Sequence, residues 1–473
     1  MPIFDPDKLE KWSCGTWKDT PKGDISGFSI DSRNLHSGDL FVAIKAERNG
    51  HDFLRSATEN GACASIVENV KLDVPLPQLL VEDSLHAFHQ IAHQHRLEFE
   101  GEVVGITGSC GKTSTKDILS LLLGEGNALC TEGNLNNHLG VPLTLLRCDN
   151  KKHKFAVVEA GINQPGEMSM LAETISPNIV LVTIVAPSHL EGLGSVENIA
   201  SEKAELFSRP DNVRKVIFPQ ECLEYEKFST LYNTGEGVVV LREGEPTSEP
   251  SPIEAFYSIW TETNKNGDSS LLRLWRHGSP SFSLSLPYLS KGMGKNAALA
   301  VLAAIELGVS VQEISERLPR FRPSTLRGRC FQGRGRSYLV DCYNANPASM
   351  MDSIEFFRNQ FPDSPKLYVL AGMEELGKDG KNLHHSVGQC IVLNSTDLII
   401  LIGEKATWMA PALLENGYSE SQIIVLAEIN DAISLVEDFD GAILFKGSRS
   451  YQLEKLLPAW AVMENENETD EQC

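Results

Sequence analysis

The run Gly108-Ser109-Cys110-Gly111-Lys112-Thr113 has the residue types that hold phosphate. A glycine-rich turn between a buried strand and a helix points several backbone N–H groups in one direction, and the helix N-terminus adds partial positive charge. Lys112 can reach the terminal phosphates of a nucleotide, and the Thr113 hydroxyl can ligate Mg²⁺. The general nucleotide-loop pattern asks for glycine at position 106, where Ile106 stands, with Gly105 and Gly108 nearby. Taken alone the loop is moderately specific, the alternative being a glycine turn with an incidental surface lysine. A strand expected over Val103–Ile106 and a helix expected over Thr113–Leu123 favour phosphate.

Other residues could complete a reaction. Glu159 closes the apolar run Phe155–Glu159, and His189 follows the run Ile179–Thr183. Open α/β sheets collect ligands at the C-terminal ends of such strands. On its own Glu159 is also readable as a surface carboxylate, His189 reads better as a hydrogen-bonded structural histidine, and Lys203 reads as a solvated helix lysine. His86, His89 and His93 share one helical face, but no cysteine or carboxylate at ligand spacing joins them. A polar face at a domain junction is the preferred reading. Cys110 is a passive small residue, or an oxidation-sensitive one if the helix N-terminus stabilises its thiolate.

The elements that must position these residues are strands and helices in alternation, which implies an α/β fold with parallel sheets. A first segment, 1–98, mixes short strands (Asp39–Ile44, Ala64–Val67) with helices (Phe53–Glu59, His86–Leu97). A second, 99–321, holds the phosphate loop, the apolar runs and the nearly all-apolar helix Asn296–Leu307, ended by Gly308. Within it, residues 233–280 turn polar and read as a peripheral region of long loops. A third, 322–463, alternates strands at 337–342, 366–370, 397–402, 422–426 and 442–445 with helices such as Pro347–Phe357, for which Asn346 is the expected N-cap and Pro347 the first residue. Residues 464–473 are acidic, lack apolar side chains and read as disordered.

Composition sets the class. At 473 residues the chain exceeds a single ordinary core. Its formal net charge of −22 argues against general nucleic-acid binding. No apolar run approaches the ~20 residues that span a bilayer, so membrane insertion is not expected. The N-terminus has no basic stretch followed by an apolar one, so no signal peptide is expected. The ten cysteines are scattered, with no Cys-x-x-Cys pair, and read as reduced thiols of a cytoplasmic protein.

The loop Gly105–Thr113 resembles the ATP loop of the Mur ligases, the peptidoglycan-precursor amide ligases. So do Asp31-Ser32-Arg33 with Gly38–Ala43, Asn134-Leu135-Asn136-Asn137 with Gly140–Thr144, and His189-Leu190-Glu191 with Gly194-Ser195. Asp341-Cys342-Tyr343-Asn344-Ala345-Asn346-Pro347 and Lys446-Gly447-Ser448-Arg449 complete the set, in family order over nearly the whole chain. The Tyr343–Pro347 run is the most specific, and points to the member that joins D-alanyl-D-alanine to UDP-N-acetylmuramoyl tripeptide. A sibling adding one amino acid, or a nucleotide-binding protein that has lost catalysis, are the rivals.

The resemblance implies a small N-terminal α/β domain for the UDP end, a central P-loop ATPase-like domain with a parallel sheet, and a Rossmann-like C-terminal domain that closes over both. It implies ATP, two Mg²⁺ ions, an acyl-phosphate intermediate and a monomer. It places Glu159, His189 and Lys203 at the second metal, with Lys203 carried as a carbamate. It places Asn296 near adenine, Arg329 at the phosphates and Asp341 near the ribose. Tyr343, Asn344 and Asn346 fall near the incoming dipeptide, and Asp31, Ser32 and Arg33 near the UDP-sugar end. Read without the family, Asn296 is a helix N-cap, Arg329 a solvated arginine beside a strand, Asp341 a polar strand end, Tyr343 to Asn346 turn and cap chemistry, and Asp31 to Arg33 a surface turn. The chain departs from the pattern at Gly292, usually His, Ser290, usually Gly, and Gly372, usually Asp. Cys110 and Cys342 stand where Asn and Ser are common, and Asn49 begins what is usually Asp-Gly-His.

Overall fold

The computed structural model of the chain describes residues 2–458 apart from 209, 247–250, 265–266, 288 and 334. The stretch 464–473, expected to be disordered, lies outside the described residues. Among the described residues the strands form three sheets that follow one another along the chain.

The first sheet has the spatial order Thr16–Lys18, Gln78–Leu80, Ala64–Val67, Asp39–Val42 and Gly27–Ser29, parallel except at its Thr16–Lys18 edge. The helix Ser84–Glu98 leads out of it, capped by Asp83, whose carboxylate accepts the His86 N–H at 2.7 Å. Its apolar face, Ala87, Phe88, Ile91 and Ala92, is buried where it packs on the helices Gly140–Leu145 and Glu167–Ile175. Its histidines serve that junction. His89 bonds Thr174 Oγ1 through Nδ1 and the His138 carbonyl through Nε2, both at 2.7 Å. Burial lowers its pKa to about 4. His95 Nε2 lies 2.9 Å from the Cys148 carbonyl.

The second sheet has a parallel core in the order Val238–Glu243, Lys215–Pro219, Ile179–Val182, Glu102–Thr107, Phe155–Glu159 and Ala128–Cys130. Strands covered on both faces need continuous apolar runs. Val103, Val104, Ile106, Ala156, Val157, Val158 and Ile179–Val182 are accordingly all fully buried. After Glu102–Thr107 the chain builds two strands on one side, then crosses to Ile179–Val182 on the other. That reversal opens a crevice at the C-terminal end of Glu102–Thr107.

Two expectations for this region are corrected. Residues 233–280 are not mainly loops. They carry Val238–Glu243, Glu254–Asn264 and Gly267–Arg276, and with Phe282–Pro287 the last two form an antiparallel extension of the sheet. Its polar composition hid a period-two pattern: Leu272, Leu274, Leu284 and Leu286 are buried, whereas Arg273, Ser283 and Ser285 between them are exposed. The apolar helix also starts earlier than expected, spanning Lys291–Glu306 with Ser290 as N-cap, so Asn296 lies inside it. Gly292 and Gly294 weaken the helical signal of the first turns.

The third sheet runs Arg329–Gly333, Arg336–Asp341, Ala442–Lys446, Lys366–Ala371, Leu398–Ile402 and Ile423–Leu426. All neighbours are parallel except the Arg329–Gly333 edge strand, which the sequence reading lacked. The helix Pro347–Gln360 follows Arg336–Asp341, with Asn346 as N-cap in a reciprocal capping pair with Ser349 and Pro347 in the first turn.

Candidate active site

The strand Glu102–Thr107 delivers the phosphate loop into the crevice. Gly108 and Gly111 have φ of 153° and 81°, values that side chains resist. A Cβ on Gly111 would lie 2.6 Å from Asn296 Nδ2, so the loop and the Lys291–Glu306 helix touch there. Ser109 pins the loop to the adjoining strand end: its N–H donates to the Ile184 carbonyl at 2.8 Å and its hydroxyl to the Ala186 carbonyl at 2.7 Å. Lys112 folds back, donating from Nζ to the Gly108 carbonyl at 2.7 Å. Burial lowers the Lys112 pKa, against the pull of Glu159. Burial raises the Cys110 thiol, with Asp352 adding to it, which supports the passive reading of that cysteine.

Behind the loop lies Glu159, fully buried rather than on the surface. Its Oε2 accepts the Thr113 hydroxyl at 3.2 Å and Asn136 Nδ2 at 3.4 Å. Its Oε1 accepts no hydrogen bond, and the nearest cation, Lys116 Nζ, stands 3.8 Å away while donating to the Thr131 carbonyl. Lys203 is 1% exposed, which overturns its reading as a solvated lysine. The helix Val196–Ser208 buries Ile199, Ala200, Lys203 and Ala204, so the lysine sits on the apolar stripe. Burial first, then the charge of Lys112, drives its pKa well below the ordinary lysine range. His189 has φ 50° and its Nδ1 contacts the Glu375 carboxylate. That contact, through its hydrogen bond first, holds the Glu375 carboxyl below the usual carboxylate range.

The third unit forms the opposite wall. Asp341 and Lys446 end adjacent parallel strands in register, so their side chains meet at 2.9 Å. Lys446 is 1% exposed and also donates to the Asn344 carbonyl at 2.8 Å. Asp341 further accepts the Ser353 hydroxyl. Asn346, besides capping its helix, donates from Nδ2 to the Ser109 carbonyl at 3.2 Å. Asp352 reaches across to the start of the Lys291–Glu306 helix, accepting Ser290 Oγ at 2.7 Å and the Gly292 N–H at 2.9 Å. A Cβ on Gly292 would stand 2.6 Å from Asp352 Oδ2, and one on Gly372 2.6 Å from the Tyr451 hydroxyl. Both unusual glycines therefore make room for a side chain from another element.

The walls enclose a cavity of about 580 Å³. Of the residues singled out from sequence, Ser109, Cys110, Gly111, Lys112, Thr113, His189, Asn296, Asp341, Tyr343, Asn344 and Asn346 line it. Gly108, Glu159 and Lys203 stand behind that lining. Arg329 is outside it, at the start of the edge strand with its guanidinium 5.1 Å from the Phe331 ring centroid. Asp31, Ser32 and Arg33 are also outside, in a turn where Arg33 donates to the Asp31 carboxylate at 2.8 Å. Arg33 holds the Asp31 carboxyl down at about 2. The lining adds Arg327, Lys446, Asn136 and Asp352, to which the sequence reading gave no role. Lys446 and Asn136 lay in motifs already singled out. Arg327 lay in the segment Leu326–Arg329, from which the sequence reading took Arg329 instead; Asp352 carried no signal beyond residue type.

Residues 106–304 match the Mur ligase middle domain, and residues 327–449 match the Mur ligase glutamate ligase domain. A UDP-N-acetylmuramoyl-tripeptide–D-alanyl-D-alanine ligase of Synechocystis sp. is 30% identical over 434 residues, covering 91% of this chain and 90% of that protein. The chain belongs to the Mur ligase family. A protein of the same description from Escherichia coli is 29% identical over 441 residues, covering 92% of this chain and 93% of its own. Among solved structures, MurF from Acinetobacter baumannii superposes with a TM-score of 0.83 at 27% identity, over 96% of this chain and 98% of that one. MurF from Thermotoga maritima in complex with ADP gives 0.75 at 26% identity, over 95% and 99%. As expected, the Mur ligase chain is a mixed α/β protein dominated by parallel strands.

The donor set of this Mur ligase fits Mg²⁺ bound together with phosphate. Magnesium takes oxygen donors, usually one or two carboxylates beside substrate phosphates. Glu159 Oε1, which accepts no hydrogen bond, and the Thr113 hydroxyl supply donors of that kind at the mouth of the phosphate loop.

Proposed function

We propose that the chain is an ATP-dependent ligase that joins D-alanyl-D-alanine to UDP-N-acetylmuramoyl tripeptide, giving the pentapeptide precursor of peptidoglycan, ADP and phosphate. The observation that carries this reading is the group of buried, underused charges behind the phosphate loop. Glu159 Oε1 accepts no bond, Lys203 has no carboxylate paired with it among the described residues, and Lys112 bonds only its own loop. Buried ionisable groups left short of hydrogen-bond partners cost stability, which supports their being placed for ligands.

A substrate carboxylate oxygen attacks the terminal phosphorus of ATP, and the bond to the bridging oxygen breaks with its electron pair leaving on ADP. The dipeptide amine then adds to the acyl carbon. Its C–O bond to phosphate breaks, phosphate leaves with that pair, and the amine proton passes to solvent. The first step brings two anions together, so cations govern it. Lys112 binds the terminal phosphate once its bond to the Gly108 carbonyl is exchanged for one to phosphate. Gly108–Thr113 cradle the phosphates through backbone N–H groups. Thr113, Glu159, His189 and Lys203 would hold two Mg²⁺ ions, which neutralise the phosphoryl oxygens when bound.

Burial pushes the Lys203 pKa well below the ordinary lysine range, which favours the free amine that takes up CO₂: an N–C bond forms, a proton leaves to solvent, and an anionic oxygen ligand replaces the amine. Asn296 serves the adenine, Asp341 the ribose, and Tyr343, Asn344 and Asn346 the dipeptide. Residues 1–98, with Asp31, Ser32 and Arg33, serve the UDP end, residues 99–321 the nucleotide, and 322–463 the closing domain. The chain works as a monomer in the cytoplasm.

Phosphate release measured with ATP and all pairings of substrates tests the reading. Release that needs both the UDP-tripeptide and D-alanyl-D-alanine supports it. Release with neither, or with a single amino acid in place of the dipeptide, sinks it. Unmodified Lys203 in clear density with nucleotide and both metals bound would remove the carbamate.

A further inference from the structure

We propose that Lys116 is a positioning residue for the metal site: in the metal-free protein it stands as the counter-ion of Glu159, and so sets how strongly a divalent cation binds there before the nucleotide arrives. This rests on the function proposed above. The helix Lys112–Leu123 presents Thr113 and Lys116, three residues apart and so on one face, to the two oxygens of Glu159. The Thr113 hydroxyl donates to Oε2 at 3.2 Å, whereas Lys116 Nζ stops 3.8 Å from Oε1, which accepts no hydrogen bond. Two other oxygens hold the ammonium back. Nζ donates to the Thr131 carbonyl at 2.9 Å and lies 3.0 Å from Asp117 Oδ1. Lys116 is 8% exposed and Glu159 is fully buried, so little water screens the charge of one from the other.

That separation has two effects. A cation this near compensates a buried carboxylate that would otherwise stand alone. The missing bond leaves Oε1 its lone pairs for a metal. The same ammonium repels any second cation brought to that oxygen, so Mg²⁺ binds weakly by itself and gains most when phosphates add negative charge, the company in which it is usually held. Lys116 also fixes the place of Glu159. It grips the carbonyl of Thr131, whose hydroxyl accepts the Glu159 N–H at 2.9 Å. Lys112, one turn earlier on the helix, bonds the Gly108 carbonyl instead. The two lysines thus divide the work, one at the phosphates and one behind the metal.

The test measures Mn²⁺ binding to the full chain by electron paramagnetic resonance, without nucleotide and with ADP. Lys116→Met and Lys116→Gln are each expected to tighten nucleotide-free Mn²⁺ binding about tenfold and to shrink the gain that ADP brings. The glutamine can still donate to the Thr131 carbonyl. Parental Mn²⁺ binding in Lys116→Gln, with a change only in Lys116→Met, would therefore reduce Lys116 to a structural tie and overturn the proposal. Binding within twofold of the parent, or weaker, in both variants overturns it as well. Lys116→Met is further expected to unfold at a lower temperature than the parent, and to recover in MgCl₂ or on adding Glu159→Gln, which removes the charge left unpaired. Where Lys116→Met does not fold, the double variant decides: a folded Lys116→Met/Glu159→Gln supports the proposal, and an unfolded one overturns it. Because Mn²⁺ binding is read without peptide substrates or turnover, absence of ligation in the parent protein counts against the proposed function alone.

Discussion

Two regions of this protein bury polar and charged side chains in similar depth but treat them differently. At the junction of the first two sheets, His89 has both ring nitrogens bonded and Arg96 donates to Ile175, Phe99 and Asn178. Around the phosphate loop, Glu159 Oε1 accepts no hydrogen bond and, among the described residues, Lys203 has no carboxylate partner and Lys112 donates only within its own loop. A saturated buried group contributes to stability, because removing it strands its partners. An unsaturated one costs stability and persists because something else binds it. Burial alone does not separate structural from functional residues, and neither does one unmade bond, since His93 Nδ1 at the junction is also buried without a hydrogen-bond partner; what marks the phosphate loop is several underused ionisable groups gathered around it.

The sharpest way to break the contrast is to delete one group from each region and measure both activity and stability. Lys112→Met is expected to lower ligation about 1000-fold while leaving urea stability equal or higher, because a desolvated cation is removed. A fall in stability comparable to that of a core truncation would put Lys112 in the saturated class. Arg96→Met should do the reverse, costing about 3 kcal/mol in urea denaturation with ligation by the folded fraction within twofold of the parent. Glu159→Gln, nearly isosteric, should reduce kcat about 100-fold without loss of thermal stability, and raise the Mg²⁺ concentration needed for half-maximal rate. The smallest effect concerns pH. His89 stays neutral to about pH 4 in the fold against 6.5 when unfolded, so the unfolded chain binds the extra proton between those values. Its contribution is complete above pH 6.5 and is lost as pH falls towards 4. His89→Gln should therefore flatten the acid limb of stability over that interval; an unchanged slope would show that His89 is not buried neutral.

The sequence carried much of this arrangement because buried parallel strands write themselves as apolar runs and the phosphate loop as glycines before a lysine. It read less well where composition and period disagree. Ser283 and Ser285, alternating with Leu284 and Leu286, lower hydropathy without breaking the strand, and Gly292 and Gly294 mask the first turns of a helix. Lys203 shows the same conflict at one residue: its type suggests the surface, whereas its spacing from Ile199 and Ala200 puts it on the buried stripe. Asp352 was beyond reach. Its role depends on contacts with Ser290 and Gly292 in another unit, and no local pattern encodes those.

Asn346 holds the carbonyl of Ser109 inside the phosphate loop, and that bond has a thermodynamic consequence. The shape of the nucleotide cradle depends on whether the third unit is docked, so docking and nucleotide affinity are linked quantities. Whatever factor docking adds to ATP binding, ATP must return to docking. The loop is therefore tied, through one side-chain amide, to the position of the wall that the third unit contributes to the cavity.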